Sequence, residues 1–271
     1  YGAYTRLEST SPLAGHKNRF TLGATWSAGT VQARNFQNLG GLKGAKLSET
    51  YDKSNNIILY GENSFDIVPD VSLIAGLQYL HAERARNDKF NGPDPATRSG
   101  RKSYDFFNPK LGILWQLDSQ WQVYGNVSRS AEPPTFGDMN FSTANDLDRL
   151  KAQRATTFEV GTRGKRGDFG WDVSVYHARV KNEFQCLSSQ WSICDRTTNL
   201  DSTIHQGLEA GFNWTFLKGV FGPGDKADRM VLNLAYTFSD FHYRQDAAWG
   251  NNQLPGIPRH YLRAEVLYKH S

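Results

Sequence analysis

Long apolar runs are missing from this sequence of 271 residues, although 38% of the residues are hydrophobic. No stretch approaches the ~18–20 consecutive apolar residues that a membrane-spanning helix needs. This absence excludes a helical membrane protein. A transmembrane β-barrel is not excluded, because its strands need only about 9–11 residues of alternating polarity to cross the bilayer.

An excess of charge of one sign is also missing. The chain has 31 Lys and Arg against 27 Asp and Glu, a net charge of +4. The densest basic run is "RGKRG" at Arg163–Gly167, which is typical of a charged turn between two strands. A nucleic-acid surface needs its basic residues concentrated in one place, so we expect no nucleic-acid partner.

Cysteine is scarce, with only Cys186 and Cys194 in the whole chain. Both lie in one polar segment, "QCLSSQWSICDR", and this favours a loop-closing disulfide in an oxidising compartment. Two free thiols are the alternative. No CxxC spacing and no nearby pair of histidines accompanies them, so we expect no metal site. Because the chain starts at Tyr1 with neither Met nor a signal peptide, we expect an upstream segment to have been removed or omitted.

What the sequence does contain is alternation of apolar and polar residues, which predicts about eleven β-strands. The clearest strand is Thr203–Phe216, where Leu208 and Phe212 alternate with Glu209 and Asn213. Strands of this length, apolar on one side and polar on the other, suit a wall between lipid and a wet lumen. The predicted strands are Tyr1–Leu7, Arg19–Ser27, Asn55–Asp66, Asp70–Arg86, Tyr104–Leu117, Trp121–Ser130, Ala155–Arg163, Phe169–Phe184, Thr203–Phe216, Met230–Phe241 and Tyr261–Lys269.

The connections between these strands alternate between short and long. The short ones are Ile67–Asp70, Asp118–Gln120 and Gly164–Asp168, with Leu217–Arg229 somewhat longer. The long ones are roughly Gly29–Ser54, Asn87–Ser103, Ala131–Arg154, Gln185–Ser202 and His242–Pro258. A transmembrane barrel keeps tight turns on its periplasmic side and long loops outside, whereas a soluble sandwich has no reason to separate them.

Aromatic residues are in excess, with 16 Phe, 12 Tyr and 7 Trp. Several lie where predicted strands end, as in the girdles of a membrane barrel: Phe65, Phe107, Trp115, Trp121, Phe169, Trp171, Trp214 and Phe216. We therefore predict an all-β fold, an antiparallel transmembrane β-barrel. Bacterial single-chain barrels have an even number of strands, so about eleven strands predict an excerpt of a larger barrel.

Four stretches resemble the C-terminal barrel half of TonB-dependent outer-membrane receptors: "LYGENSFDIVPDVSLIAGLQYLH", "VYGNVSRSAEPPTFGDM", "LKAQRATTFEVGTRG" and "NLDSTIHQGLEAGFNW". "PGIPRHYLRAEVLY" fits the same group, and the likeness extends from about Arg19 to Tyr268. The resemblance implies a 22-stranded barrel around an N-terminal plug. Residues 1–271 would then be part of that barrel, without the plug, the TonB box or the last strands.

The same resemblance implies a function. Receptors of this family lie in the Gram-negative outer membrane and take up a metal chelate, typically a ferric siderophore, with energy from the TonB complex. The partners it implies are the chelate, the TonB complex, outer-membrane lipid and lipopolysaccharide. A passive porin and a soluble β-sandwich adhesin or lectin are the alternatives, and in the sandwich the apolar rows would meet in a dry core.

Polar and aromatic residues of the long loops and upper strands are the candidates for ligand contact. They are Arg84, Arg86, Arg129, Trp191, Tyr243, Arg244 and Trp249. Arginine suits an anionic chelate by its charge and bidentate geometry, and flat aromatic groups stack on Trp or Tyr. The alternative is that these are ordinary loop residues, or headgroup-facing cations that bind lipopolysaccharide.

An enzyme is not expected. Asp201, Ser202 and His205 lie close together in the sequence, but adjacent residues on a strand point to opposite faces. A working triad needs its members brought together in space. We therefore expect no catalytic residue and no cofactor.

Overall fold

The computed structural model describes residues 1–90, 92, 99–139, 149–187, 196–219 and 228–270. Eleven strands form one sheet, and a two-stranded hairpin, β9–β10, stands apart from it. The strands are β1 Gly2–Ser9, β2 Asn18–Leu39, β3 Leu42–Val68, β4 Val71–Phe90, β5 Gly100–Asp118, β6 Trp121–Glu132, β7 Gln153–Arg166, β8 Phe169–Lys181, β9 Phe184–Leu187, β10 Arg196–Asn199, β11 Ser202–Lys218, β12 Arg229–Tyr243 and β13 His260–Lys269. Among the described residues, no helix is long and apolar enough to cross a membrane.

The eleven predicted strands are confirmed, and they pair antiparallel in chain order from β1 to β13, with β8 joined directly to β11. Turns of only two residues follow β3, β5 and β7. Residues 10–17 and 219–228 connect strands at this same end. The connections that follow β4, β6, β8 and β12 lie at the opposite end of the sheet. We call these the short-turn end and the long-loop end.

The long loop predicted at Gly29–Ser54 is wrong, because β2 and β3 continue through it as one hairpin. Their pairing reaches Leu39 and Leu42. Gly40 and Gly41 form the turn, with φ angles of 62° and 92°. Positive φ at both central residues is what a type I′ hairpin turn requires, and glycine adopts it without a Cβ penalty. The hairpin therefore projects beyond the neighbouring strands at the long-loop end.

Two smaller corrections concern the other predicted loops. β4 continues to Phe90 and β5 begins at Gly100, so the connection predicted at Asn87–Ser103 is shorter than expected. The predicted loop Gln185–Ser202 contains the β9–β10 hairpin, in which Cys186 pairs with Thr197.

In a soluble protein apolar side chains are buried and polar side chains are exposed, and the two faces of this sheet show the reverse. Apolar Val160 and Val175 are 57% and 49% exposed, whereas polar Ser174 and Thr203 are 9% and 0% exposed. Val175 pairs with Val160 on one side and Leu208 on the other, so the exposed apolar positions continue across neighbouring strands. We call this the outer face and the sheltered face the inner face. An exposed apolar row of this kind suits contact with lipid.

No second sheet covers the outer face in the described part of the chain, where the β9–β10 hairpin is the only other sheet. Leu208, Phe212, Leu232 and Leu234 are therefore not enclosed between two sheets. The soluble β-sandwich alternative is wrong for this reason.

Aromatic rings form a belt on the outer face near the short-turn end. Trp171 lies between Trp121 and Phe169, with ring centroids 6.3 and 6.1 Å away, and Phe169 is 5.9 Å from Phe212. The indole N–H of Trp121 donates to Thr162 Oγ1 at 2.7 Å. Rings with an apolar body and one satisfied polar group suit the boundary between lipid tails and water.

Candidate ligand-binding site

Arg84 lies on the inner face of β4, near the long-loop end. It is only 8% exposed. Its guanidinium donates to Asn56 Oδ1 at 2.8 Å and to the carbonyl oxygen of Pro134 at 3.2 Å. Asn56 belongs to β3, and Pro134 belongs to the segment that follows β6. Arg84 therefore ties that segment to the wall and uses its donors within the protein.

Arg86 lies two residues further along β4, directly opposite Asp52 of β3. Its Nε and Nη2 donate to the two oxygens of the Asp52 carboxylate, which makes a bidentate pair. The two side chains are 12% and 9% exposed. Bidentate geometry fixes the orientation of both groups, so Arg86 holds the register of the two strands and its charge is already neutralised.

The described parts of the connection between β6 and β7 contact the inner face of β4 and β5, at Pro134 and at Leu150. Lys102 Nζ donates to the carbonyl oxygen of Leu150 at 3.0 Å. Beneath it is a small apolar cluster of Leu80, Ala82, Tyr104, Phe106 and Ala152. Since Ala152 is part of this cluster, the end of the connection is held on the wall.

Another group of predicted ligand contacts meets at the end of β12. Tyr243 is 3% exposed and stacks on Trp249, with ring centroids 5.1 Å apart. The Tyr243 hydroxyl accepts a hydrogen bond from Gln185 Nε2 of β9 at 2.6 Å. The Oε1 atom of Gln185 is buried and has no hydrogen-bond partner among the described residues. Arg244, the next residue along the chain from Tyr243, is exposed. We call Gln185, Tyr243, Arg244 and Trp249 the β12 cluster.

A half-buried carboxylate, that of Glu183, lies next to this cluster on the inner face. His205 Nε2 is 3.1 Å from Glu183 Oε2, and the Thr203 hydroxyl donates to the same oxygen. The ring of His205 also stacks on Phe241 with centroids 4.2 Å apart. Burial acts to raise the pKa of Glu183, but the hydrogen bonds from His205 and Thr203 outweigh it and lower the pKa of this carboxyl. Glu183 therefore stays ionised.

The sequence neighbours considered for hydrolysis do not assemble. Ser202 accepts a hydrogen bond from Arg179 Nε at 3.3 Å on the outer face, whereas His205 faces Glu183 on the inner face. No group of three His, Cys, Asp or Glu side chains that could hold a metal ion lies within the described ranges.

The projecting β2–β3 hairpin carries a network of charges in which exposed Arg34 and Lys46 surround the half-buried Glu49. Glu49 accepts hydrogen bonds from Lys46 Nζ at 2.7 Å, Arg34 Nε at 2.9 Å and Gln32 Nε2 at 2.9 Å. These bonds, with Lys46 contributing most, lower the pKa of Glu49 to about 2. Such a network is suited to water, which agrees with a hairpin that extends past the lipid.

Arg129 does not join the other candidates. It lies on β6 opposite Thr156, and its side chain is exposed on the outer face, in the same row as Val127. The inner-face groups at Arg84 and at the β12 cluster are on the other side of the wall.

Trp191 and Cys194 lie outside the described residues. Cys186 lies on β9 beside Gln185 and is disulfide-bonded. Its bond to Cys194 stays a prediction. A cross-link here would hold the β9 strand, and with it the Gln185 side chain of the β12 cluster.

Sequence reasoning missed the partners of the predicted residues: Asp52, Asn56, Glu183 and Gln185. Alternation assigned Arg84 and Arg86 to one face but could not show which residue lies opposite each of them. The signal that could have found Asp52 is the Gly40–Gly41 pair, because two glycines between paired strands predict a hairpin.

Comparison with known proteins agrees with this architecture. The family model described as "TonB dependent receptor-like, beta-barrel" matches residues 1–271. Similar solved structures include the ferric citrate transporter FecA (TM-score 0.75, 17% identity), the siderophore receptor PiuA from Acinetobacter baumannii (0.73, 17%) and the copper transporter OprC (0.68, 15%). The matches cover 98%, 96% and 98% of this chain but only 39%, 42% and 41% of those chains.

At these identities the solved structures establish the fold alone, and the chain spans about 40% of their length. The family model covers every residue. The chain is therefore part of an outer-membrane barrel, with the inner face toward the lumen and the long-loop end extracellular. The chain belongs to the TonB-dependent receptor family of outer-membrane β-barrels.

Proposed function

We propose that this chain supplies part of the barrel wall and extracellular mouth of a receptor that actively takes up a ferric chelate, in particular a ferric siderophore. Family membership over residues 1–271 supports this function. Two of the solved proteins with this fold are named as a ferric citrate transporter and a siderophore receptor, while a third is named as a copper transporter.

The β12 cluster carries the proposal at the level of residues. It combines an exposed cation, Arg244, with the stacked rings of Tyr243 and Trp249 and the unpartnered Oε1 of Gln185. An anionic chelate would pair with the guanidinium. Its planar donor groups would stack on the exposed side of Trp249. The cluster lies at the extracellular end of the inner face, where an incoming ligand arrives first.

The residues of this chain bind and orient the ligand, and no covalent step is assigned to them. The energy for passage through the lumen comes from the TonB complex, acting on the N-terminal part of the whole receptor. The other proposed partners are the lipids around the wall, including lipopolysaccharide. We assign no enzymatic activity, no cofactor and no resident metal.

Growth under iron limitation tests the function directly. A strain lacking the gene is fed one ferric chelate at a time, and we expect it to lose growth on one chelate class and to regain it with the full-length gene. Growth on every chelate at the rate of the parent strain would contradict iron uptake.

The role of the β12 cluster is tested on the purified full-length receptor with the chelate that supports growth. We expect Trp249→Ala to weaken binding about tenfold, as for an aromatic residue that anchors a ligand. Trp115→Ala is the matched control, because Trp115 is exposed on the outer face near the short-turn end. Equal affinity of both variants would remove the cluster from the binding site.

The porin alternative makes a different prediction. A porin gives a steady open conductance when the full-length protein is inserted into a planar bilayer. We expect the receptor to remain closed in the absence of TonB, so a steady open current would favour the porin.

A further inference from the structure

The β9–β10 hairpin is placed by side chains and not by the ladder of the main sheet. It forms a small sheet of its own beside the eleven-stranded one. The chain leaves β8 at Asn182, which has a positive φ of 55°. Asparagine adopts this left-handed conformation more readily than most residues. Because the hairpin has no ladder bonds to the barrel, its position depends on other contacts.

Asn199, the last residue of β10, supplies several of those contacts. Its Oδ1 accepts a hydrogen bond from the Lys151 N–H at 2.8 Å, and its Nδ2 donates to the Lys151 carbonyl oxygen at 2.8 Å. The same Nδ2 also donates to the carbonyl oxygen of Asn182 at 2.7 Å. A primary amide has two N–H donors and one acceptor oxygen. Both donors and the acceptor of the Asn199 side chain are therefore used.

Asparagine suits this place because its amide group reproduces a peptide unit. It exchanges one donated and one accepted bond with the backbone of Lys151, as a hydrogen-bonded residue of an antiparallel pair does. Aspartate would offer no donor to the two carbonyl oxygens, and leucine would offer neither donor nor acceptor. Asn199 thus attaches the hairpin to the connection between β6 and β7 in one defined orientation.

Other contacts from the same connection support this attachment. Arg149 Nη1 donates to the carbonyl oxygen of Thr197 at 3.0 Å. Gln153 Oε1 accepts a hydrogen bond from the Phe184 N–H at 3.2 Å. Leu150, which lies between these residues in the sequence, is only 1% exposed. The connection is therefore a packed base on which the hairpin is fixed.

The two faces of the hairpin have different neighbours. Asn199 pairs with Phe184, and Thr198 pairs with Gln185. Successive residues of a strand point to opposite faces, so Asn199 and Gln185 lie on opposite faces of the hairpin. The face of Asn199 contacts the connection, and the face of Gln185 contacts the Tyr243 hydroxyl at 2.6 Å. The position of the hairpin therefore decides whether Gln185 reaches Tyr243.

We propose that Asn199 is a positioning residue of the chelate site. By fixing the hairpin on the connection between β6 and β7, it holds Gln185 against Tyr243. This contact sets the ring pair of Tyr243 and Trp249 before the chelate arrives. A site that is ordered in advance binds more tightly, because less ordering remains to be done on binding. The inference rests on the proposed function, since the β12 cluster is the site that Asn199 positions.

Asn199→Leu tests the attachment without any ligand. It removes the three hydrogen bonds and keeps a side chain of similar size. In the purified full-length receptor, the amide hydrogens of residues 184–186 should exchange about tenfold faster, as for the loss of one or two neutral hydrogen bonds. Asn35→Leu is the matched control, because it removes an asparagine bond to Ser48 in the separate β2–β3 hairpin. Unchanged exchange in Asn199→Leu would overturn the attachment.

Affinity for the ferric chelate that the growth test identifies measures the positioning. We expect Asn199→Leu to bind about tenfold more weakly than the parent, and Asn35→Leu to bind as the parent does. Normal binding by Asn199→Leu with weak binding by Trp249→Ala would overturn the positioning role and leave the β12 cluster as the site. Normal binding by both variants would overturn the cluster, and the positioning role with it.

A double-variant cycle separates positioning from a general loss of stability. Tyr243→Phe keeps the ring that stacks on Trp249 but removes the hydroxyl that Gln185 contacts. It should bind about tenfold more weakly, and adding Asn199→Leu to it should weaken binding by less than about twofold, because both changes remove one contact. A further tenfold loss would show independent effects and would overturn the positioning role.

Retention of heat-modifiable migration on gels shows that each variant is folded. If Asn199→Leu fails this check, Tyr243→Phe tests the inference alone, because parental affinity in that variant would show that the contact with Gln185 does not set the site.

Discussion

Arginines on the two faces of the same wall differ in what surrounds them. On the inner face, Arg84 is buried, Arg86 has a side chain only 12% exposed, and their donors are used by Asn56, Pro134 and Asp52. On the outer face, Arg129 and Arg179 are exposed and meet no carboxylate within the described ranges. The comparison teaches that the inner cations hold the protein together, whereas the outer cations are available to something that is not protein.

The largest effect is expected from the buried pair. Asp52→Asn removes the carboxylate that faces Arg86 and leaves a buried guanidinium without its counter-charge. Breaking such a pair costs about 3–5 kcal/mol. Urea unfolding of the full-length receptor, followed by tryptophan fluorescence, measures the loss.

The double variant Asp52→Asn/Arg86→Met is the control for that prediction. It removes both charges, so it should unfold closer to the parent than the single variant does. A loss below about 1 kcal/mol in Asp52→Asn, the range of an exposed pair, would show that the inner face is wetter than its burial indicates.

A smaller effect is expected at Arg84. Arg84→Met keeps the aliphatic length but removes the bonds to Asn56 and Pro134, and hydrogen bonds to charged groups contribute about 1.5–3 kcal/mol. We also expect residues 135–139 to exchange their amide hydrogens faster, since the anchor at Pro134 is gone. Unchanged exchange in this segment would show that Arg84 does not hold it.

Glu49 shows the effect of ion pairing without buried partners, because Arg34 and Lys46 pair with it and are themselves exposed. Its folded pKa of about 2 lies below the ordinary value of 4.5. The stabilising contribution is therefore complete above pH 4.5 and is lost as the pH falls toward 2. A spin label beside the Gly40–Gly41 turn should become more mobile over this window, and Glu49→Gln should show that mobility already at pH 7. A label whose mobility is constant down to pH 2 would contradict the network.

The smallest effect on stability is expected on the outer face. Arg129→Gln/Arg179→Gln should change the free energy of unfolding by no more than about 0.5 kcal/mol, as for surface positions without a structural partner. Unfolding in lipid-free detergent measures this. A loss comparable to that of Arg84→Met would mean that the outer cations also hold the fold, and the contrast between the faces would disappear.

The sequence predicts the strands and their two faces well, because alternation is a local property. The odd positions of β8, such as Val173 and Val175, lie on the outer face as expected. The prediction ended β2 too early and began β3 too late. Residues such as Arg34 of β2 and Glu49 of β3 lie in the part of the hairpin where neither side of the strands is a row of apolar residues. A hairpin in water needs no such row.

The candidate site was predicted only in part, because cross-strand partners depend on register. Nothing local in the sequence pairs Arg86 with Asp52 or brings Gln185 to Tyr243, since 34 and 58 positions separate them. Pro109 is different, because a proline inside a predicted strand is a local signal for a break in pairing. The pairing of β5 with β6 does end next to it, at Lys110 and Ser128.

The central claim is that one face of each strand meets lipid while the other meets the lumen. Spin labels at residues 157 to 160 of β7, in the full-length receptor reconstituted in liposomes, test it most directly. Labels at Phe158 and Val160 should collide with lipid-dissolved oxygen, and labels at Thr157 and Glu159 should favour a water-soluble nickel chelate. Accessibility that does not alternate along these four positions, or that is low to both probes at Phe158 and Val160, would contradict the account.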